Sequence, residues 1–126
     1  MTKILLVEDD VFFQKFYTSK LKEEGMEVYT ASNGEEGLQK AREIIPSLII
    51  LDIIMPKKDG FEMLKDMSQD STLKKIPVII FSTLGQEEDV KKAKQLGALD
   101  YVDKSSFDFA NLKAKIMNII GRSTPS

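Results

Sequence analysis

The segment LIILD at residues 48–52 constrains the fold more than any other part of the chain. Its four consecutive apolar residues stand between Pro46 and Pro56, and they end in an acid, Asp52. A short apolar run bounded by such breakers predicts a strand buried on both faces. Such strands belong to parallel sheets covered by helices, whose functional groups lie at the carboxyl ends of the strands. Asp52 is therefore a candidate functional residue, although a lone acid at this position more often meets solvent or caps the next turn.

Four further segments resemble strands, at residues 3–7, 26–30, 76–81 and 98–102. Between and after them, apolar residues recur at spacings of three and four, the pattern of a helix with one buried face. The five apolar stripes are, in chain order, Phe13, Phe16, Tyr17 and Leu21; Leu38, Ala41 and Ile45; Phe61, Leu64 and Met67; Val90, Ala93 and Leu96; and Phe109, Leu112, Ile116 and Ile119. Strands that alternate with helices at short connections predict an α/β fold built on a doubly wound parallel sheet.

Local signals indicate where these elements begin and end. The segment SNGE at 32–35 resembles a capping box at the start of the second helix, and Asp59 is expected to cap the third. The last helix is expected to run from about residue 106 to residue 120. The predicted domain covers residues 1–121, and residues 122–126 are expected to form a disordered tail.

The composition excludes several classes of protein. Eighteen basic and 20 acidic residues give a net charge of −2, and no Lys/Arg cluster favours nucleic acid or an anionic membrane. The chain has no cysteine and no histidine, so a bound metal would be a hard cation held by oxygen. No apolar run has the length of a signal peptide core or a membrane span, and we therefore expect a cytoplasmic protein.

Polar residues follow four of the five predicted strands. They are Glu8 and Asp9 after the first, Asp52 after the third, Ser82 after the fourth and Lys104 after the fifth. The carboxyl ends of parallel strands meet at one edge of the sheet, so we expect these side chains to converge. Three carboxylates repel one another unless a cation lies between them, and oxygen ligands suit Mg²⁺. Each residue alone has an ordinary structural explanation, but together they predict a functional site.

The order and spacing of these motifs resemble the receiver domain of two-component response regulators, over residues 3 to about 120. The motifs are ILLVEDD at 4–10, LDIIMP at 51–56 with DG at 59–60, PVIIFS at 77–82, GA at 97–98 and DYVDK at 100–104. The resemblance implies a flavodoxin-like sheet with strand order 2-1-3-4-5 and five helices. It also implies a phosphorelay regulator, either a single-domain protein similar to chemotaxis regulators or the receiver of a longer chain.

The resemblance implies that Asp52 accepts a phosphoryl group from a phosphohistidine on a sensor histidine kinase or a phosphotransfer protein. It further implies that Glu8, Asp9 and Asp52 bind Mg²⁺ together with the main-chain carbonyl of Ile54. The protein would then be a phosphoacceptor that assists its own phosphorylation and slow dephosphorylation, and not an enzyme with a separate substrate.

The remaining site residues are assigned in the same way. By resemblance, Ser82 and Lys104 contact the phosphoryl oxygens, and Tyr101 is the aromatic residue that turns inward when the Ser82 hydroxyl moves. A downstream target protein is expected on the face formed by the fourth helix, the fifth strand and the fifth helix. Phe12 lies off the apolar stripe of the first helix, and we expect it to be an exposed aromatic where the phosphoryl donor docks.

The sequence departs from the family pattern in the loops that border the site. Ser105 follows Lys104 where the family usually has proline after a cis bond, so a trans loop of different shape is expected. Thr83 stands where alanine is common and narrows access to the site. Ile54 and Leu84 are apolar at the two positions that flank the approach of water, which predicts slow loss of the phosphoryl group.

Three other functions agree less well with the sequence. A Mg²⁺-dependent phosphohydrolase with an aspartyl nucleophile usually has a second acid where this chain has Ile54. A flavodoxin-like electron carrier needs a phosphate-binding loop after its first strand, and the acids at 8–10 would repel that phosphate. A degenerate receiver that serves only for docking is disfavoured because the site residues are all present.

Overall fold

The chain forms one five-stranded parallel sheet with helices on both faces. The computed structural model describes residues 2–106 and 108–123, and its strand order is β2-β1-β3-β4-β5. The strands are β1 (Lys3–Val7), β2 (Glu27–Ala31), β3 (Leu48–Leu51), β4 (Val78–Ser82) and β5 (Asp100–Asp103). The helices are α1 (Val11–Glu23), α2 (Gly34–Ile44), α3 (Gly60–Ser68), α4 (Glu87–Gln95) and α5 (Phe109–Ser123), with 3₁₀ turns at Leu73–Lys75 and Lys104–Ser106. The predicted fold and strand order are confirmed.

β3 is the centre of the hydrophobic core, as its sequence predicts. All four of its side chains are fully buried, and they alternate between the two faces of the sheet. Leu48 and Ile50 pack with residues of α1 and α5, whereas Ile49 and Leu51 pack with residues of α2, α3 and α4. The two faces therefore carry separate clusters of apolar side chains, and both are covered.

The register of the strands brings their carboxyl ends to one level. Val7 at the end of β1 pairs with Leu51 at the end of β3, and Ser82 at the end of β4 pairs with Asp103 in β5. The residues that follow β1, β3 and β5 leave the sheet at this same edge. The edge therefore collects the polar residues that the sequence places after these strands.

Several predicted boundaries differ from the structure for local reasons. The cap of α2 is Asn33, whose side chain accepts from the N–H of Glu36 at 2.9 Å, and not a box formed by Ser32 and Glu35. Ile45 was expected on the buried stripe of α2, but it is left-handed and about half exposed because the helix ends before Pro46. Asp59 does cap α3 through a complete capping box with Glu62.

The last helix also differs from its predicted range. The 3₁₀ turn at Lys104–Ser106 precedes it, so α5 begins at Phe109 and continues to Ser123. The remainder of the predicted tail, residues 124–126, lies outside the described residues. Across the part of the chain that the structure describes, no helix has both the length and the apolar character needed to cross a membrane.

Candidate functional site

The carboxyl edge of the sheet holds a cluster of buried polar side chains. Glu8, Asp52, Ser82 and Lys104 are 1%, 4%, 0% and 6% exposed, whereas Asp9 is exposed at the rim. The structure thus brings together the acids, the hydroxyl and the lysine that the sequence places at four strand ends. Buried charges are costly unless they are paired, so the pairing within this cluster determines what it can do.

Lys104 is the one basic residue of this cluster, and it is shared between two acids. Its Nζ lies 2.7 and 2.9 Å from the two carboxylate oxygens of Glu8 and 3.1 Å from Oδ2 of Asp52. The Nζ also lies 4.5 Å from the centre of the Phe13 ring, a cation–π contact. The peptide between Lys104 and Ser105 is trans, and the 3₁₀ turn that begins there still directs the lysine into the site.

Asp52 is oriented by main-chain groups on both sides. Its own N–H donates to the carbonyl of Val7 at 3.0 Å, which extends the pairing of β3 with β1 by one residue. Its Oδ1 accepts from the N–H of Ile53 at 2.8 Å. The second oxygen, Oδ2, is therefore the one that faces Lys104.

The start of α1 holds Glu8 in place. Oε1 of Glu8 accepts from the N–H of Asp10 at 3.2 Å, and its carbonyl accepts from the Gln14 side chain at 3.0 Å. Asp10 itself caps α1 by accepting from the N–H of Phe13 at 3.1 Å. The sequence predicted Phe13 only as part of the apolar stripe of α1 and gave no role to Gln14. Neither the contact of the Phe13 ring with Lys104 nor the hydrogen bond from Gln14 to Glu8 has a local sequence signal.

The cluster contains more negative than positive charge. Burial raises the pKa of Glu8 to about 8, although the hydrogen bond from Lys104 acts in the opposite direction. Burial would lower the pKa of Lys104, but its contacts with Glu8 and Asp52 outweigh this effect and raise it. A pKa of about 8 keeps Glu8 largely protonated at neutral pH, and when Glu8 is ionised together with Asp9 and Asp52, one ammonium group cannot balance the three carboxylates. An additional cation would relieve this excess.

The acidic residues have the arrangement of a metal-binding group. Carboxylate oxygens of Glu8, Asp9 and Asp52 lie within 4.8 Å of one another. A set made only of oxygen atoms fits a hard divalent cation such as Mg²⁺, which keeps several water ligands and is held by few carboxylates. Asp9 is exposed, so the group is open to solvent on one side.

Ser82 and Tyr101 are joined through the main chain of Leu84. Oγ of Ser82 accepts from the N–H of Leu84 at 3.2 Å, and the Tyr101 hydroxyl donates to the carbonyl of the same residue. Tyr101 is partly buried, and burial together with the nearby charge of Asp89 raises its pKa. A rotation of the Ser82 hydroxyl would therefore disturb the residue that holds Tyr101.

Two of the loop residues expected to flank the site differ in exposure. Ile54 is 55% exposed, whereas Leu84 is half-buried and packs against the hydrophobic cluster under α2, α3 and α4. Thr83 is exposed between Ser82 and Leu84. Apolar and bulky side chains thus lie in the loops that follow β3 and β4.

Comparison with known proteins identifies a common family. The model of the response regulator receiver domain matches residues 4–117. The probable transcriptional regulator ycf27 of Pyropia yezoensis is 38% identical over 120 residues, which are 95% of this chain and 48% of that protein. The chain thus spans about half the length of the first curated relatives it matches.

Solved structures show the same similarity. The chemotaxis protein CheY4 of Vibrio cholerae has a TM-score of 0.88 at 30% identity, covering 94% of this chain and 98% of that one. The receiver domain of sensor histidine kinase PA1611 from Pseudomonas aeruginosa PAO1, solved with a magnesium ion coordinated in its active site cleft, has a TM-score of 0.87 at 25% identity. That likeness covers 95% of this chain and 98% of the other.

Proposed function

The chain belongs to the response regulator receiver domain family, and we propose that Asp52 accepts a phosphoryl group from a phosphohistidine of a histidine kinase or phosphotransfer protein. The observation that carries this proposal is the contact between Lys104 and Oδ2 of Asp52 at a buried edge lined with acids. A carboxylate paired with a lysine in this way is ready to receive a dianion, because the ammonium group is already present where phosphoryl charge would develop.

The transfer itself requires little covalent chemistry from the protein. A carboxylate oxygen of Asp52 forms a bond to phosphorus while the P–N bond of the phosphohistidine breaks, and the imidazole leaves with the electron pair of that bond. Catalysis of such a step consists mainly of positioning and of neutralising charge on the phosphoryl oxygens. The resulting acyl phosphate is reactive, which makes the modification reversible.

The buried neighbours of Asp52 supply these effects. Lys104 is bonded to Glu8 and Asp52, and it would donate to a phosphoryl oxygen once Asp52 is modified. The hydroxyl of Ser82 would turn from the N–H of Leu84 to donate to another phosphoryl oxygen. Glu8, Asp9, Asp52 and the main-chain carbonyl of Ile54 would hold Mg²⁺, which, when bound, offsets the negative charge of the carboxylates and of the incoming phosphoryl group.

The consequence of phosphorylation would be a change in the surface used for partner binding. Receiver domains interact with histidine kinases and with downstream effectors. We place the target on the face formed by α4, β5 and α5, because the link from Ser82 through Leu84 to Tyr101 leads there. We expect this signalling to take place in the cytoplasm.

Phosphorylation by a small donor tests the proposal without a partner protein. The chain is incubated with an acyl or amido phosphate, with and without Mg²⁺, and its intact mass is measured. We expect one added phosphoryl group with Mg²⁺ and none without it, because the unbalanced carboxylates repel the donor. Asp52→Asn should remain unmodified, whereas Asp59→Asn, which alters the cap of α3, should still be labelled. Equal labelling of wild type and Asp52→Asn would contradict the proposal.

A further inference from the structure

The loop at residues 53–59 joins β3 to α3 and contains Ile54, whose carbonyl is one of the proposed Mg²⁺ ligands. The end of this loop is closed by Gly60, whose N–H donates to the carbonyl of Ile53 at 2.9 Å. A Cβ atom at Gly60 would lie only 2.8 Å from the Cα of Ile53, so the closure requires a glycine. The loop is therefore held tightly where it enters α3.

A second contact holds the loop from the side of α2. The N–H of Gly34 donates to the carbonyl of Lys58 at 2.8 Å. A Cβ atom at Gly34 would lie 2.5 Å from that carbonyl oxygen and 3.0 Å from its carbon. These atoms belong to the backbone, so a larger residue at position 34 could be accommodated only by moving the loop or the helix.

The start of α2 is itself firmly anchored. Gly34 is the first residue of α2, where main-chain N–H groups have no partner within the helix and can bond elsewhere. The preceding residue, Asn33, is buried and caps the helix, and Leu38 and Ala41 are buried in the core. A displacement at Gly34 would therefore pass to the loop.

The side chain of Lys58 adds a third point of attachment, because its Nζ forms an ion pair with Asp66 of α3. Lys58 is thus held by its carbonyl to α2 and by its ammonium group to α3. We infer that Gly34 is a positioning residue for the Mg²⁺ site, since it sets the backbone of the loop that presents the Ile54 carbonyl. This inference rests on the proposed function, in which that carbonyl and the three acids bind Mg²⁺.

The test compares alanine substitutions at two glycines of α2. Gly34→Ala pushes on the loop backbone, whereas Gly37→Ala pushes on core side chains, with Sδ of Met63 at 2.9 Å and Cγ2 of Val7 at 3.1 Å from the added atom. For each variant, Mg²⁺ affinity is measured by NMR titration, and the free energy of unfolding is measured without Mg²⁺. We expect Gly34→Ala to weaken Mg²⁺ binding about tenfold, because loss of a group that orients a metal ligand typically weakens metal binding by about this factor or more. Gly37→Ala should change it less than about twofold.

A second pair of variants keeps the inference testable if Gly34→Ala does not fold. Lys58→Met removes the ion pair to Asp66, and Lys57→Met removes the same charge from the exposed neighbour. Loss of a nearby positive charge alone would strengthen Mg²⁺ binding, so both variants should gain affinity if the loop needs no support. We expect Lys58→Met to bind Mg²⁺ more weakly than Lys57→Met.

The outcomes separate this inference from the proposed function. If the wild type binds no Mg²⁺ at millimolar concentration, the proposed function fails and the inference fails with it. If the wild type binds Mg²⁺ but Gly34→Ala binds it equally well, or Gly37→Ala loses as much affinity, only the positioning role is overturned. For an unfolded Gly34→Ala, equal affinities of Lys58→Met and Lys57→Met would show that the Mg²⁺ site does not depend on how Lys58 is held, and the positioning role, which acts through Lys58, is overturned.

Discussion

Nζ of Lys104 lies 3.1 Å from Oδ2 of Asp52, although the two residues are 52 positions apart and β4 separates their strands. The contact is possible because the lysine is buried and extends along the carboxyl edge of the sheet until it reaches Glu8 as well. One ammonium group therefore holds together two acids that would otherwise repel each other. This relationship links the stability of the site to its proposed chemistry.

Loss of that ammonium group should destabilise the protein. Lys104→Met keeps most of the side-chain volume but leaves the buried acids Glu8 and Asp52 without their shared hydrogen-bond donor, so we expect the free energy of unfolding without Mg²⁺ to fall by about 3 kcal/mol. Saturating Mg²⁺ should restore part of this loss, since a ligand that binds only the folded state stabilises it. Urea denaturation with and without Mg²⁺ measures both effects.

The matched control is Lys91→Met, which removes a lysine that is 70% exposed on α4 and pairs with Glu87. We expect Lys91→Met to lower the free energy of unfolding by less than about 1 kcal/mol, as is usual for an ion pair on the surface. If both variants lose the same stability, the buried cluster is not held together by Lys104.

Phe12 should contribute to docking of the protein donor. It is 57% exposed and stacks on the Phe16 ring at 6.0 Å, so an apolar aromatic surface stands beside the acidic edge. We expect Phe12→Ala to slow phosphoryl transfer from a cognate kinase or phosphotransfer protein by about fivefold, equivalent to about 1 kcal/mol. Labelling by a small phosphoryl donor should not change.

The control for docking is Leu99→Ala, an exposed apolar residue just before β5, at the opposite edge of the sheet. This variant should leave both rates unchanged. Equal losses with the protein donor and the small donor in Phe12→Ala would indicate a folding defect and count against a docking role.

Phosphorylation should be sensed at α4 and β5. In α4, Ala93 is buried while Val90 is only half-buried, so the helix is weakly held and readily shifted. NMR chemical-shift changes on phosphorylation are expected to cluster around Val90 and Tyr101, and Ser82→Ala should reduce them because it removes the acceptor for Leu84. Changes that remain confined to Asp52 and the loop at residues 53–59 would contradict a propagated switch.

The phosphorylated state should be long-lived. The exposed side chain of Ile54 and the half-buried one of Leu84 have no group to orient an attacking water, and orientation is a large part of such barriers. Ile54→Asn, Leu84→Glu and the double variant should lose the phosphoryl group about tenfold faster than the wild type, which corresponds to about 1.4 kcal/mol. The decay of phospho-Asp52 is followed by mass spectrometry, and unchanged rates in all three variants would show that these side chains do not set the lifetime.

Sequence reasoning succeeded where a local pattern carries the information. The uninterrupted apolar residues at 48–51 require burial on both faces, and this requirement leads directly to a parallel sheet and to Asp52 at its edge. The start of α3 is equally local, since Asp59 caps this helix as predicted and Glu62 completes a capping box with it. For such segments the sequence spacing alone determines the geometry.

Sequence reasoning failed where a contact joins distant parts of the chain. The placement of Phe13 under Lys104 joins residues of α1 and of the turn after β5, so the periodicity of α1 cannot reveal it. The contact between Gly34 and Lys58 likewise joins two segments that meet only in the folded structure. The choice of Asn33 over Ser32 as the cap of α2 depends on where β2 ends.

The most direct test of the central claim locates the phosphoryl group in the chain. The protein is phosphorylated with a small donor and Mg²⁺, the acyl phosphate is reduced with borohydride to an alcohol, and the modified residue is identified by tandem mass spectrometry. We predict that position 52 is converted and that Asp9 and Asp59 remain intact. Conversion at another acid, or labelling that persists undiminished in Asp52→Asn, would contradict the assignment of Asp52 as the phosphoacceptor.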